Sequence, residues 1–112
     1  MSSRVFTNGF SLIVMLCVKK HEKAKIGDIQ ADILRYAAKE IKQSAIASCL
    51  NSLDSKALMS RIKSERKGEL TSGQHGHVYE YQLTDAGLNS LTWMITTINN
   101  LTKATDLNLE EQ

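Results

Sequence analysis

Two stretches of the chain alternate apolar and polar side chains, Leu58-Met59-Ser60-Arg61-Ile62-Lys63 and His77-Val78-Tyr79-Glu80-Tyr81-Gln82-Leu83, whereas the other periodic segments repeat at three and four residues. Two strands alone are marginal in water. They must pair as a hairpin and lie against helices, so the sequence predicts a mainly α fold with one small β-hairpin. The segment between the strands, about residues 64–76, contains Gly68, Gly73 and Gly76 and reads as a long hairpin tip.

The helical segments fall on either side of this hairpin. Phe6, Phe10, Ile13, Val14, Cys17 and Val18 share one face of a first helix, which the polar run Lys19-Lys20-His21-Glu22-Lys23 ends in solvent. A second helix is predicted from Gly27-Asp28, with Asp28 as its cap, burying Ile29, Ile33, Leu34 and Ala37; Ile26 before it is a short strand or a staple. In the third, Ile46, Cys49, Leu50 and Leu53 stand at i, i+3, i+4 and i+7, with Ser44 as N-cap and Ala57 at the end. After the hairpin, Thr84 caps a last helix with Asp85 in its first turn and a stripe of Leu88, Leu91, Met94 or Ile95, Ile98 and Leu101, ending near Lys103. The expected order is helix-helix-helix-strand-strand-helix. It forms one domain over residues 1–103, with its last helix at about 84–103, followed by an acidic tail over 104–112 that lacks periodicity.

Composition agrees with a packed domain, at 42% apolar and 23% charged residues. Cys17 and Cys49 are too few for a disulfide framework and lie in apolar runs, as reduced core residues of a cytosolic protein do. The apolar run Phe10 to Val18 is half the length of a membrane span, and no cleavage site follows it, so neither a membrane protein nor a secreted one is expected. The net charge of +2 conceals a division. Residues 1–67 have 13 basic and six acidic side chains, a net +7, while residues 68–112 have one basic and six acidic, a net −5. A basic half is a reason to look for a nucleic-acid partner.

Ile46 to Met59, Ile-Ala-Ser-Cys-Leu-Asn-Ser-Leu-Asp-Ser-Lys-Ala-Leu-Met, resembles the recognition-helix-to-strand passage of the PadR and MarR transcription regulators of bacteria and archaea. In those families a Leu-x-x-Leu spacing is followed by an acidic residue, a small residue that is usually glycine, Leu and another aliphatic. Leu50, Leu53, Asp54, Ala57, Leu58 and Met59 stand in those places. Tyr79-Glu80-Tyr81-Gln82-Leu83-Thr84-Asp85-Ala86-Gly87 is similar to the Tyr-x-Leu-Thr-x-x-Gly passage from wing strand to following helix. The likeness spans roughly residues 26–91 and implies a winged helix-turn-helix. The chain departs from the pattern in a longer wing and in Ala57, which predicts a turn that does not rely on a glycine-only conformation. It contains no recognisable sensing residues, so the likeness implies no particular effector.

The residues themselves suit duplex DNA. The face of the third helix away from its apolar stripe is Ala47, Ser48, Asn51, Ser52 and Ser55, small and polar where a solvated helix normally has Lys and Glu. Ser48, Asn51 and Ser52 offer short donors and acceptors to base edges, and Asn51 can bond adenine twice. Gln43 and Ser44 lie at the N-terminus of this recognition helix (about 44–56), where backbone N–H groups can hold phosphate. Lys42, Lys56, Arg61 and Lys63, with Lys39, supply attraction to the backbone; Arg66, Lys67, Gln74, His75 and His77 on or beside the wing reach an adjacent phosphate or the minor groove.

These features predict a homodimeric, sequence-specific DNA-binding repressor in the bacterial or archaeal cytosol. It would read an inverted repeat with half-sites about 10 base pairs apart, and pair subunits through Phe6, Phe10, Leu91, Met94, Ile95, Ile98 and Leu101. The alternatives are a winged-helix interaction module, which an exposed stripe around Trp93, Met94 and Ile98 would favour, and a DNA-binding protein for replication or partition of an extrachromosomal element. No enzyme is expected, since no nucleophile elbow, P-loop, HExxH or dinucleotide fingerprint is present. No cofactor is expected, and no metal either: His75 and His77 have the same-face spacing of a strand and could join Glu80 or Cys49 at a metal, but a second ligand pair at metal spacing is lacking.

Overall fold

The computed structural model describes residues 8–63 and 79–106. Four helices and one hairpin follow in the expected order: α1 (Gly9–His21), α2 (Ile26–Ala37), α3 (Gln43–Ser55), β1 (Met59–Lys63), β2 (Tyr79–Leu83) and α4 (Asp85–Ala104). The strands pair antiparallel from Met59 opposite Leu83 to Lys63 opposite Tyr79. Ala24, just before α2, adds a one-residue bridge on the other side of β2, since it exchanges both backbone hydrogen bonds with Tyr81, at 3.0 and 2.8 Å. No helix among the described residues is long and apolar enough to cross a membrane.

One core joins the elements. Val14, Met15 and Val18 of α1, Ile29 and Ile33 of α2, Ile46, Leu50 and Leu53 of α3, Leu58, Met59 and Tyr81 of the hairpin region, and Leu91 and Met94 of α4 are all buried. Burying each such aliphatic side chain is worth about 1.5–3 kcal/mol. Ile13, read as part of the apolar face of α1, is instead 41% exposed, and Met15 takes its place in the core. Leu34 and Ala37 do not complete the buried face of α2: both are exposed, because its last turn runs past the helices it packs on.

Lys20 and His21 do not simply end α1 in solvent. Asp32, buried in the middle of α2, accepts from Lys20 Nζ at 3.1 Å and lies 2.8 Å from His21 Nε2, tying the end of α1 to α2. A buried carboxylate without partners would cost several kcal/mol, and these two remove that cost.

Helix starts also differ in detail from the sequence reading. The helix at α2 begins at Ile26 with Lys25 as N-cap, and Asp28 acts from inside the first turn, its carboxylate accepting from the Lys25 N–H at 3.0 Å. For α3 the N-cap is Lys42, which makes no side-chain capping bond; Ser44 lies inside the helix, because Ala45 and Ile46 already donate to the Lys42 carbonyl. Helix α4 starts as expected, with Thr84 Oγ1 accepting from Gly87 N–H at 3.0 Å.

The passage out of α3 is a correction of another kind. Ala57 takes the left-handed conformation, φ 63°, that glycine would occupy without strain. The turn needs it: Ala57 N–H bonds the Asp54 carbonyl at 2.9 Å and Leu58 N–H the Leu53 carbonyl at 2.9 Å, closing the helix end and launching β1. Gly87 of α4 then lies so close to the Leu58 backbone that a Cβ at position 87 would overlap the Leu58 carbonyl oxygen.

These two positions predict opposite outcomes. Ala57→Gly relieves the left-handed strain but loosens the unfolded chain, for a net gain of about 0.5–1 kcal/mol. Gly87→Ala forces α4 away from β1 and costs about 2–3 kcal/mol. Urea unfolding followed by circular dichroism measures both; equal midpoints for Gly87→Ala and the parent chain would show that the close approach is not needed.

Candidate nucleic-acid interface

The α3 helix buries Ile46, Leu50 and Leu53, and at 100° per residue this turns Ser44, Ser48, Asn51 and Ser55 outward as its central line, with Ser52 on one flank and Ala47 and Asp54 on the other. The structure leaves Gln43, Ser44, Ser48, Asn51 and Ser52 exposed and Ala47 half-buried. The only charged side chain on α3 is Asp54. Ser55 Oγ donates back to the Ser52 carbonyl at 2.9 Å, which fixes that hydroxyl against the helix and leaves Ser44, Ser48 and Asn51 as the projecting polar groups of that line.

Cations stand around this face. Lys42 precedes the helix and Lys56 follows it, while Arg61 and Lys63 lie on β1, and all four are exposed. None of them forms an ion pair among the described residues. The Arg61 guanidinium lies 4.6 Å from the centre of the Tyr79 ring, a cation–π contact across the hairpin that limits how far the arginine can swing. Arg66, Lys67, Gln74, His75 and His77 of the expected wing lie outside the described residues.

Sequence reasoning missed the contact that joins the two helices of the helix-turn-helix at their polar surface. Gln30 of α2 donates through Nε2 to the Ile41 carbonyl at 2.9 Å, and its Oε1 accepts from Gln43 Nε2 at 3.0 Å. Gln43 is therefore held at the first turn of α3 by a residue 13 positions earlier. A polar residue on a polar face carries no periodic signal, so only the folded turn reveals this pairing.

Behind α3, Cys49 is half-buried and shares a 3.4 Å hydrogen bond with Ser11 Oγ. Burial pushes the Cys49 thiol above its ordinary pKa, against smaller opposing effects of the Ser11 bond and the Lys56 charge. Cys17 is raised too, first by burial and then by Asp32, with Lys20 opposing. Both stay protonated at neutral pH and behave as packing groups. No three His, Cys, Asp or Glu side chains are grouped to hold a metal among the described residues; His75 and His77 are not among them.

The candidate dimer residues divide. Leu91 and Met94 face the chain's own core and have almost no surface left for a second subunit. Phe10 and Ile95 are half-buried, Ile98 is 43% and Leu101 60% exposed, and Phe6 lies outside the described residues. The stripe around Trp93, Met94 and Ile98 is likewise interrupted, with Met94 buried and Trp93 half-buried.

No protein-family model matches the chain, and neither does the sequence of any curated protein. Solved structures do match its fold. A PadR-like transcription factor from Bacteroides fragilis superposes with a TM-score of 0.69 at 22% identity, over 87% of this chain and 86% of that one. A PadR-family transcription regulator from Clostridium difficile gives 0.69 at 19% identity, over 88% and 96%. PadR of Bacillus subtilis, solved in complex with operator DNA, gives 0.61 at 19% identity, over 79% of this chain and 48% of that one. The chain therefore has a winged helix-turn-helix fold similar to that of PadR-like regulators, and its likeness to the Tyr-x-Leu-Thr-x-x-Gly passage has a structural counterpart in Thr84 and Gly87.

Proposed function

We propose that the protein is a sequence-specific regulator of transcription that binds duplex DNA with α3 in the major groove. The observation that carries this reading is the outer face of α3: short polar side chains with one carboxylate and no lysine or arginine, bordered by four exposed cations without ion-pair partners among the described residues. Such a face lets the helix backbone come close to base edges, while Lys42, Lys56, Arg61 and Lys63 meet phosphates on either side. The start of α3 adds to it. With neither a capping side chain nor an acid in its first turn, its leading N–H groups suit a phosphate oxygen. The sequence places Arg66, Lys67, Gln74, His75 and His77 at or beside the wing, as further contacts to phosphate or the minor groove.

The same reading makes the protein a homodimeric repressor of a promoter with an inverted repeat, its half-sites about 10 base pairs apart. Ile13 and Leu16 of α1 and Leu88, Ile98 and Leu101 of α4 are exposed apolar side chains on two helices that pack together, and a second copy of the chain would cover them. No enzymatic step is part of this function, and the solved complex of Bacillus subtilis PadR with operator DNA offers a structural precedent for its binding mode.

Selection of bound fragments from random duplexes, then titration at several salt concentrations, tests the DNA reading. Asn51→Ala should relax base preference at one position of each half-site. Lys42→Ala and Lys56→Ala should weaken binding to all sequences and lower the salt slope by about 0.9 each. Enrichment of no fragment, with no complex even at low salt, would sink the proposal. For the dimer, sedimentation of Ile98→Asp/Leu101→Asp should give a monomer that binds a single half-site; an unchanged mass would place the interface elsewhere.

A further inference from the structure

The two amides that bridge α2 and α3 have a fixed polarity. A backbone carbonyl can only accept, so the Gln30 atom 2.9 Å from the Ile41 oxygen must be its nitrogen. Its Oε1 is then the atom turned toward Gln43, and only a nitrogen of Gln43 can meet it at 3.0 Å. The Ile41 carbonyl thus sets the orientation of both side chains in turn. Gln43, exposed on the first turn of α3, keeps its Oε1 and one N–H without a partner among the described residues. One acceptor beside one donor on a planar amide is the complement of adenine, which offers the N6 donor and the N7 acceptor in the major groove.

We propose that Gln30 is a positioning residue that holds the Gln43 amide in the orientation that reads an adenine edge. The assignment rests on the reading of α3 as the recognition helix and adds a specificity pair to it. A free glutamine on a helix samples many rotamers and presents its amide either way round, so it discriminates adenine poorly until binding orders it. Gln30 orders it beforehand, and because Gln30 is anchored on the turn backbone, the pair moves with the helix-turn-helix as one unit.

The test uses the full chain and the duplex motif it enriches from a random library. Affinities are measured for that motif with each base substituted in turn, for the parent chain, Gln43→Ala, Gln30→Met and the double variant. Gln30→Met removes both amide bonds and keeps helix propensity and most of the volume. Gln43→Ala should lower the adenine preference at one position per half-site by roughly tenfold or more. Gln30→Met should lower the preference at that same position by about three- to fivefold, and by less than about twofold once Gln43 is absent.

A purely structural role for Gln30 would instead weaken the motif and random duplex together, equally in both backgrounds, and would overturn the proposal. So would an unaltered base preference in Gln30→Met, or a Gln43-dependent position occupied by a base other than adenine. Should the parent chain enrich no motif, this assignment falls together with the DNA reading beneath it; a motif insensitive to Gln30 leaves that reading intact.

Discussion

Three hydrogen bonds and one missing methyl group join the exit of α3 to the start of α4. Thr84 N–H bonds the Leu58 carbonyl at 3.2 Å, Thr84 Oγ1 donates to the Ala57 carbonyl at 2.7 Å, and the same oxygen accepts from Gly87 N–H. The backbones come this close only because residue 87 has no Cβ to strike the Leu58 carbonyl. Through this junction the turn after α3, the residue that leads into β1 and the first turn of α4 form one hydrogen-bonded knot. Its geometry requires Ala57 at φ 63°, a conformation alanine adopts at a cost of about 1–2 kcal/mol. The strain is local, and the gain is that the direction of α3 relative to the hairpin is set by main-chain atoms together with one short side chain, the Thr84 hydroxyl.

That setting matters because recognition of a duplex needs a helix whose position is determined by its scaffold. Ile46, Leu50 and Leu53 fasten one side of α3 to α1 and α2. The Asp32 contacts with Lys20 and His21 lock α1 to α2, and the bonds between Ala24 and Tyr81 fasten the hairpin to the segment that leads into α2. A two-stranded hairpin that is marginal by itself gains a bridge on its second edge, at a buried tyrosine. The outward face of α3 is thus presented by contacts on every side except the one left open.

Much of this was legible in the sequence. Spacing of Ile46, Leu50 and Leu53 gave the buried side of α3 and, by subtraction, its polar face; alternation in the two strands gave the hairpin; Thr84 and Asp85 gave the start of α4. These signals are local and periodic. Ser44 has the chemistry of an N-cap, whereas the observed start of α3 depends on the extended conformation of Lys42, which residue type does not report. The left-handed Ala57 was unexpected for a similar reason: the demand for positive φ comes from the Leu58–Thr84 junction, 26 residues apart in sequence. Leu91 and Met94 lie on a helical stripe that looks the same in sequence whether its own domain or a second copy covers it; the domain's own core covers them. The Gln30–Gln43 pair had no signal at all, since two glutamines on polar faces announce neither contact nor role.

The charge division seen in the sequence has a local form in the fold. A net +7 over residues 1–67 suggests a surface drawn to polyanions, yet α3 itself contains no basic residue. In the proposed binding mode, attraction and reading fall to different elements: cations at the two ends of α3 and along β1, short polar groups and amides on the helix. A lysine on the outer line of α3 would add attraction to any phosphate, but its long stem would hold the backbone off the base edges and its flexible charge would accept any acceptor it met. Serine and asparagine give up that attraction and some helix propensity, a few tenths of a kcal/mol per residue. The core beneath Ile46, Leu50 and Leu53 is large enough to offset it. On that reading, selectivity among sequences rests on serine and asparagine side chains too short to adapt and on a glutamine, Gln43, whose freedom Gln30 restricts.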